Sequence, residues 1–205
     1  MITQDSDVLI AIDIQNDFCP NGALAVQQGD EVVSLINEMS SEFEHVVLTQ
    51  DWHPAGHSSF ASSHPGKQPF ETIELDYGVQ VLWPDHCIQG SSGAEFHPGL
   101  NLNDAEMIIR KGFRENIDSY SAFFENDHKT LTGLTGYLRT RGFRRVFLAG
   151  LATDYCVAYS AVDARREGFD VVVIKDACRA INLDGSLNQA THNMQQAGVS
   201  IISSL

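Results

Sequence analysis

The stretch that decides the fold runs over residues 146–157 and reads V-F-L-A-G-L-A-T-D-Y-C-V. Its apolar first half predicts a buried strand that ends at Gly150, and a helix is predicted over about 154–167. Cys156 should therefore lie at a strand-to-helix turn, near the positive end of the helix dipole. That position lowers the pKa of a thiol and offers free backbone N–H groups to an anion. It suits a nucleophile, although an isolated cysteine is more often a buried structural residue.

Outward from this stretch, short apolar runs alternate with segments of helical spacing. Five further runs are predicted as strands, at 8–14, 46–49, 107–111, 170–175 and 199–202. Apolar residues at helical spacing predict three more helices, at 31–39, 130–141 and 188–197. Asp30 is the expected N-cap of the first of these. The alternation indicates a single doubly wound domain over residues 1–205, a three-layer α/β/α arrangement whose central sheet is mostly parallel, with about six strands.

Composition and charge narrow the classes of function. The chain has 43% hydrophobic and 20% charged residues, as an ordinary soluble globule does. Its net charge of −14 argues against nucleic acid and anionic membranes as partners, and no apolar run approaches the ~20 residues of a membrane helix. The four cysteines are scattered without C-x-x-C spacing, which fits reduced thiols and a cytoplasmic protein. A small-molecule substrate stays compatible with this charge, and a homo-oligomer is left open.

Charged and nucleophilic side chains follow or end four of the predicted strands. These residues are Asp13, Asp51, Lys111 and Cys156. In doubly wound sheets, ligands bind beyond the carboxyl ends of the strands, so these side chains should converge. A carboxylate that takes the thiol proton and an ammonium that stabilises the thiolate would make a coherent group. Spacing alone leaves open that Asp13 is a helix cap or part of a phosphoacceptor-like acidic cluster, and that the Lys111 ammonium only reaches for solvent.

The irregular stretch over about 51–100 predicts a metal site. It is rich in proline and glycine, and five of the eight histidines fall within it. A span of this length without regular periodicity is usually functional in a compact domain. Asp51 and His53 are two residues apart on an extended segment and so point the same way, while His86 follows in W-P-D-H-C. The mixed oxygen and nitrogen donors suit Zn²⁺, Fe²⁺ or Mn²⁺, and His57 is a further candidate ligand whose role the spacing leaves open.

Two aromatic side chains border these predicted sites. Phe18 comes shortly after Asp13, and Trp83 comes shortly before His86. Both would then lie near the mouth of the site, where they could hold a flat ring between them. The pattern is equally compatible with two loop residues anchored in the core.

Taken together, these motifs resemble the nicotinamidase/pyrazinamidase branch of the isochorismatase-like cysteine hydrolases. The matching segments follow the family's order over nearly the whole chain, and they are I-D-I-Q-N-D-F, D-W-H-P-A-G-H-S-S-F, W-P-D-H-C, R-K-G and G-L-A-T-D-Y-C-V. The resemblance implies the isochorismatase-like hydrolase fold. It also implies Cys156 as the nucleophile, Asp13 as general base and acid, and Lys111 as the partner of the thiolate. The implied metal ligands are Asp51, His53 and His86.

The resemblance carries further expectations about the turn before Cys156 and about the reaction. It implies a non-proline cis peptide between Leu151 and Ala152, and an oxyanion hole made by the backbone N–H groups of Ala152 and Cys156. The implied activity is hydrolysis of nicotinamide to nicotinate and ammonia through a thioester, in NAD salvage, with action on pyrazinamide as well. Residues 19–22 (C-P-N-G) depart from the more glycine-rich turn of many relatives, but this affects no proposed catalytic residue.

Other functions remain compatible with the sequence. One alternative keeps the superfamily and changes the substrate to another small amide or to isochorismate. The metal motif weighs against isochorismate, because members that act on it generally lack that cluster. A second alternative is a metal-hydroxide hydrolase in which Cys156 is structural. A third is a ligand-binding domain that has lost turnover, against which the intact set of Asp13, Lys111 and Cys156 argues.

Overall fold

A computed structural model describes residues 4–204. The strands are β1 (Asp7–Ile12), β2 (Val46–Asp51), β3 (Thr72–Leu75), β4 (Gly78–Val81), β5 (Ala105–Lys111), β6 (Arg145–Leu151), β7 (Asp170–Arg179) and β8 (Ser200–Ile202). The α-helices are α1 (Val32–Ser40), α2 (Leu134–Arg141), α3 (Ala158–Arg166) and α4 (Ser186–Gln196). Within this described part of the chain, no helix is both long and apolar enough to cross a membrane.

Six strands form the central sheet in the order β5-β2-β1-β6-β7-β8, and each pair of neighbours is parallel. Strands β1 and β2 are buried along their whole length, and β6 is buried except at its first residue. Burial on both faces is why these segments read as near-continuous apolar runs. The prediction of a doubly wound sheet with six strands is confirmed. The chain builds outward from β1 in one direction and from β6 in the other, and in sheets of this kind the crevice lies beyond the carboxyl ends of these two neighbouring strands.

Helices cover the sheet and complete the core. Helix α1 packs against β6 and β7, whereas α3 packs against β7 and contacts α4. Between these layers the side chains of Leu9, Ile10, Phe147 and Leu148 are fully buried. Burial of such a side chain typically contributes ~1.5–3 kcal/mol to folding. The central strands are therefore a rigid support for the loops at their carboxyl ends.

The predicted starts of α1 and α2 differ from the observed ones. Asp30 is not an N-cap, because it lies within a 3-10 turn, Gly29–Glu31, that leads directly into α1. Helix α2 begins at Leu134 rather than at 130, because Gly133 precedes it with φ 105°. Just before that glycine, the Thr132 hydroxyl donates a hydrogen bond to the Ala122 carbonyl at 2.6 Å, which ties this segment to the preceding loop.

The stretch over 52–100 contains regular structure that the sequence analysis missed. Strands β3 and β4 form an antiparallel hairpin that is separate from the central sheet. Apolar residues at Ile73, Leu75, Val79 and Val81 alternate with polar ones, and this alternation is the signal that could have revealed the hairpin. Strand β7 is also longer than predicted. After a register shift it continues to Arg179, beside the end of β6.

Candidate active site

The turn between β6 and α3 carries Cys156 at the crevice. Gly150 has φ 126°, and a Cβ there would lie 2.2 Å from the Ile12 carbonyl oxygen, so only glycine lets β6 pass this close to β1. The Leu151–Ala152 peptide bond is cis, as the resemblance implied. Residues Thr153–Val157 form a wide π-helical turn. The predicted single helix over 154–167 is therefore corrected, since Cys156 precedes the α-helix proper.

The Cys156 thiol is buried and its pKa is high. Its Sγ lies 3.5 Å from the Nζ of Lys111. Burial raises the pKa of the Cys156 thiol well above its ordinary value; the ammonium lowers it in part, while Asp13 and Asp51 raise it further. The expectation that the helix dipole lowers this pKa is wrong, because burial and the two carboxylates outweigh the favourable charges. The thiol is protonated in this site and needs a base.

Asp13 is the carboxylate placed to serve as that base. It directly follows β1 with φ 51° and is fully buried. Its N–H donates to the Thr49 hydroxyl oxygen at 3.1 Å, and that hydroxyl donates to Oδ1 of Asp13 at 2.5 Å. Burial raises the pKa of Asp13 to about 6, although Lys111 acts in the opposite direction. One carboxylate oxygen of Asp13 lies within 4.8 Å of the Cys156 sulfur. A carboxyl with a pKa near neutrality is suited to proton transfer in both directions.

Lys111 joins the acid, the thiol and the predicted metal site. From the end of β5, its Nζ lies 2.8 Å from Oδ2 of Asp13, donates to Oδ1 of Asp51, and donates to the Ser119 carbonyl at 3.0 Å. Burial acts to lower the pKa of Lys111, but Asp13 and Asp51 raise it well above its ordinary value. The ammonium therefore stays charged and compensates two buried carboxylates. The structure brings together the three predicted catalytic residues.

Asp51, His53 and His86 converge on one point of the crevice. Oδ2 of Asp51 lies 3.6 Å from Nε2 of His53 and 4.0 Å from Nε2 of His86. The Nδ1 atoms of the two rings lie 2.9 Å from the Gly112 carbonyl oxygen and 2.8 Å from the Pro84 carbonyl oxygen. Because a carbonyl can only accept, each Nδ1 carries a proton, and each Nε2 is left as the atom that could bind a metal beside Asp51.

The charges of this cluster also suit a cation. Burial raises the pKa of Asp51, but Lys111 and His53 hold it well below its ordinary value. Burial and the neighbouring His53 lower the pKa of His86 to about 4, which leaves the imidazole neutral. Burial acts to lower the pKa of His53, but Asp51 raises it overall, so a metal would replace a proton at that ring. One carboxylate and two imidazoles are donors that fit a divalent transition metal.

His57 lies beside the cluster but faces other partners. Its ring centroid is 4.5 Å from that of His53. Its Nδ1 lies 2.7 Å from the Ser59 hydroxyl oxygen and its Nε2 lies 3.2 Å from the Ile117 carbonyl oxygen. Possible ligand atoms of His57, His53 and Asp118 lie within 4.8 Å of one another, whereas His57 is not part of the cluster of Asp51, His53 and His86.

A narrow cavity opens beside Cys156, and both predicted aromatic residues line it. The Phe18 ring meets the His86 ring edge-on, with 5.5 Å between centroids. Trp83 donates a hydrogen bond from its Nε1 to the Tyr120 hydroxyl oxygen at 3.1 Å. It also makes an edge-to-face contact with Tyr155, with 4.8 Å between the ring centroids. Because both aromatic rings border the cavity beside Cys156, they can form apolar walls for a flat ring.

Several residues of the cavity wall were not predicted from the sequence. They are Leu24, Asp118, Tyr120, Tyr155 and Ile181. Tyr155 directly precedes Cys156, so its position next to the predicted nucleophile was the available signal. The other four lie in irregular segments, and no local pattern separates them from ordinary loop residues.

Comparison with known proteins gives consistent matches over nearly the whole chain. The model of the isochorismatase domain family matches residues 7–204. The chain is 55% identical over 196 residues to a nicotinamidase of Acinetobacter baylyi, with 96% of this chain and 92% of the relative covered. It is 59% identical to a solved nicotinamidase pyrazinamidase structure from Acinetobacter baumanii, with a TM-score of 0.97 and 98% and 97% of the two chains covered.

Two further solved structures carry bound groups. A protein of L. infantum in complex with nicotinate is 41% identical, with a TM-score of 0.86 and coverage of 98% of this chain and 95% of that chain. A pyrazinamidase of Pyrococcus horikoshii in complex with zinc is 34% identical, with a TM-score of 0.77 and coverage of 96% and 98%.

Proposed function

The chain belongs to the isochorismatase domain family, and we propose that it hydrolyses nicotinamide to nicotinate and ammonia. The observation that carries this proposal is the 55% identity to a nicotinamidase over nearly the full length of both chains. The buried group of Asp13, Lys111 and Cys156 supports it, because a thiol, a carboxylate of raised pKa and an ammonium are what hydrolysis through a thioester requires.

In the first half of the proposed reaction, Asp13 takes the thiol proton as Sγ of Cys156 attacks the carboxamide carbon. The Lys111 ammonium, 3.5 Å from Sγ, stabilises the thiolate as it forms. The backbone N–H groups of Ala152 and Cys156 hold the oxyanion, and one donor of this kind is typically worth ~2.7–4 kcal/mol. Asp13 then gives its proton to the leaving nitrogen. The C–N bond breaks, ammonia departs, and a thioester remains on Cys156.

In the second half, the same carboxylate acts on water. Asp13 takes a proton from a water molecule that attacks the thioester carbon, and the C–S bond breaks. Nicotinate leaves, and the thiol regains its proton from Asp13. One carboxylate that alternates between base and acid needs a pKa near the working pH, which the burial of Asp13 provides.

We propose that the aromatic walls and the metal cluster select the ring. Phe18 and Trp83 hold the pyridine ring between them in the cavity. Asp51, His53 and His86 would hold one divalent metal (zinc, iron or manganese), which when bound supplies a coordination position for the ring nitrogen. We place His57 outside this set of ligands, because both of its ring nitrogens have other partners.

We extend the proposal to substrate range and setting. Action on pyrazinamide is included, since a similar solved structure bears the names of both activities. A role in NAD salvage and a cytoplasmic location follow from the proposed reaction and from the scattered free thiols. Residues 1–205 act as one domain in this proposal, although residues 1–3 and 205 lie outside the described part.

Ammonia release from nicotinamide and from benzamide, measured on metal-replete protein, tests the function. Benzamide has the same shape without the ring nitrogen, so we expect a clear preference for nicotinamide. No ammonia from nicotinamide would overturn the proposed function. Equal rates with both amides would contradict recognition of the ring nitrogen.

The nucleophile has its own test. Cys156→Ala should abolish ammonia release while the metal content stays unchanged. Cys178→Ala removes a buried thiol that does not line the cavity, so it should keep the activity and serves as the matched control. Substantial turnover by Cys156→Ala would favour the alternative reading, in which a metal-bound hydroxide attacks and Cys156 is structural.

A further inference from the structure

Asp154 is a buried carboxylate that the proposed mechanism does not use. It is 3% exposed and lies in the same turn as Cys156. Its Oδ1 accepts a hydrogen bond from the Ile181 N–H at 3.0 Å, and its Oδ2 accepts one from the Asn182 N–H at 2.7 Å. The Ser186 hydroxyl donates a third bond to Oδ2 at 2.5 Å. The three partners lie within one segment, which comprises the connection between β7 and α4 and the first residue of α4.

That segment has an unfavourable backbone conformation, which the hydrogen bonds to Asp154 help to stabilise. Asn182 has φ 55° and Asp184 has φ 48°, and both are non-glycine residues in the left-handed region. Residues with a Cβ adopt this conformation only at a cost, so surrounding contacts must hold it. The carboxylate of Asp154 binds two consecutive N–H groups there and so prescribes the path of the chain.

The two sides joined by Asp154 face the same cavity. Tyr155 and Cys156 line it from the turn that follows β6, and Ile181 lines it from the segment held by the carboxylate. A change at Asp154 therefore alters the distance between the nucleophile and an apolar wall. It leaves in place the hydrogen bonds of Asp13, Lys111 and the metal cluster, in which Asp154 takes no part.

We propose that Asp154 is a positioning residue that sets the width of the substrate cavity by holding Ile181 against the turn that carries Cys156. It thereby selects flat six-membered aryl carboxamides without ring substituents and excludes bulkier ones. This inference rests on the proposed amide hydrolysis and deepens it, since it names a determinant of the accepted substrate class.

The test compares Asp154→Asn with the unaltered full chain, both metal-replete. The variant keeps the side-chain shape, but its amide NH₂ group now faces an N–H donor. We expect KM for nicotinamide to rise about tenfold, the equivalent of ~1.4 kcal/mol in binding, while kcat changes by less than about threefold. Discrimination in kcat/KM against a ring-methylated nicotinamide should fall by a similar factor. An unchanged KM, or a loss confined to kcat, would overturn the inference.

A double-mutant cycle shows whether Asp154 acts through Ile181. Ile181→Ala alone should raise KM in the same direction, and the double variant should show little further increase, because both changes remove the same wall. If the increase in KM of the double variant equals the product of the increases of the two single variants, the inference is overturned.

Ser186→Ala is the milder variant if Asp154→Asn does not fold. It removes one of the three bonds and should raise KM about twofold to threefold, whereas an unchanged KM would overturn the inference. Failure of the proposed function is distinguishable, because then the unaltered protein itself would release no ammonia from nicotinamide.

Discussion

In the proposed reaction, Asp13 determines the pH range in which the site can work. Burial raises its pKa to about 6, and only the ionised carboxylate can accept the thiol proton. We therefore expect kcat/KM for nicotinamide to fall about tenfold per pH unit as the pH drops below about 6, and to level off above it. The measurement is the pH profile of kcat/KM, with metal content determined at each pH.

Thr49 offers a matched variant for this profile. Its hydroxyl donates to Oδ1 of Asp13, and this bond lowers the pKa of the carboxyl. Thr49→Val keeps the volume and removes the donor, so the acidic limb should move to higher pH by about one unit. An acidic limb at the same pH in both proteins would show that it does not report on Asp13.

At the scale of single residues, the sequence predicted which residues meet at the site better than it predicted the burial and charges around them. Asp13, Lys111 and Cys156 could be found because each ends or follows a predicted strand, at the edge where topology alone brings side chains together. The pKa of Cys156 was predicted in the wrong direction, because burial and two carboxylates act on it and neither is visible locally. The partners of Asp154 lie in a segment distant in sequence, so its contacts emerge only from the fold.

Among the elements, the β3–β4 hairpin is anchored to the rest of the protein by a buried amide, that of Gln80. Gln80 is fully buried, and its Nε2 donates to Oδ2 of Asp118 at 2.8 Å and to the Tyr120 hydroxyl oxygen at 2.9 Å. Tyr120 in turn accepts the bond that fixes Trp83. The hairpin is thus fastened to the cavity wall by hydrogen bonds, and its strands pair only with each other.

We expect Gln80→Ala to loosen the hairpin and leave the central sheet intact. Removing the amide leaves buried partners unsatisfied, at a cost of ~1–3 kcal/mol each. Amide hydrogen exchange should therefore accelerate over residues 72–81, while β1 and β6 keep their protection. Glu74→Ala alters an exposed position of the same hairpin and should change nothing. Equal acceleration in β1 would mean that the hairpin and the sheet unfold together.

Strands that are buried on both faces were predicted correctly, and the partly exposed β3–β4 hairpin was missed. Strands β1, β2 and β6 are buried on both faces, so their apolar runs marked them clearly. The hairpin was missed because its residues, apart from the buried Gln80, are partly buried or exposed and lie in a stretch without helical or buried-strand periodicity. Helix α2 was extended too far toward its N-terminus, since the turn at Gly133 depends on contacts with an earlier loop.

For the whole molecule, a bound metal should add to stability. Of the proposed ligands, Asp51 ends β2, His53 follows it closely and His86 belongs to the long loop, so one ion would cross-link distant segments. At a free metal concentration of about 100 Kd, binding contributes ~2.7 kcal/mol, which corresponds to a shift of roughly 5–10 °C in Tm. Tm should therefore fall by this amount when a chelator removes the metal, and recover on addition of Zn²⁺.

Two histidine variants separate ligands from neighbours. His86→Gln should abolish the metal-dependent part of Tm, because it removes one of three donors. His57→Gln should lower Tm with and without metal to a similar extent and keep the metal-dependent difference. Loss of that difference in His57→Gln would return His57 to the set of ligands.

The order of strands in the sheet also affects how the protein folds during its synthesis. Strand β1 lies between β2 and β6, and β6 begins after roughly two thirds of the residues. On the ribosome, β1 can pair early with β2. The other edge of β1 stays unpaired until β6 has been synthesised, and both faces of the strand are apolar. Such an open edge is where nascent chains aggregate or engage chaperones. The seam between β1 and β6, beyond whose carboxyl end the candidate active site lies, therefore closes only after β2 and β5 have both been made.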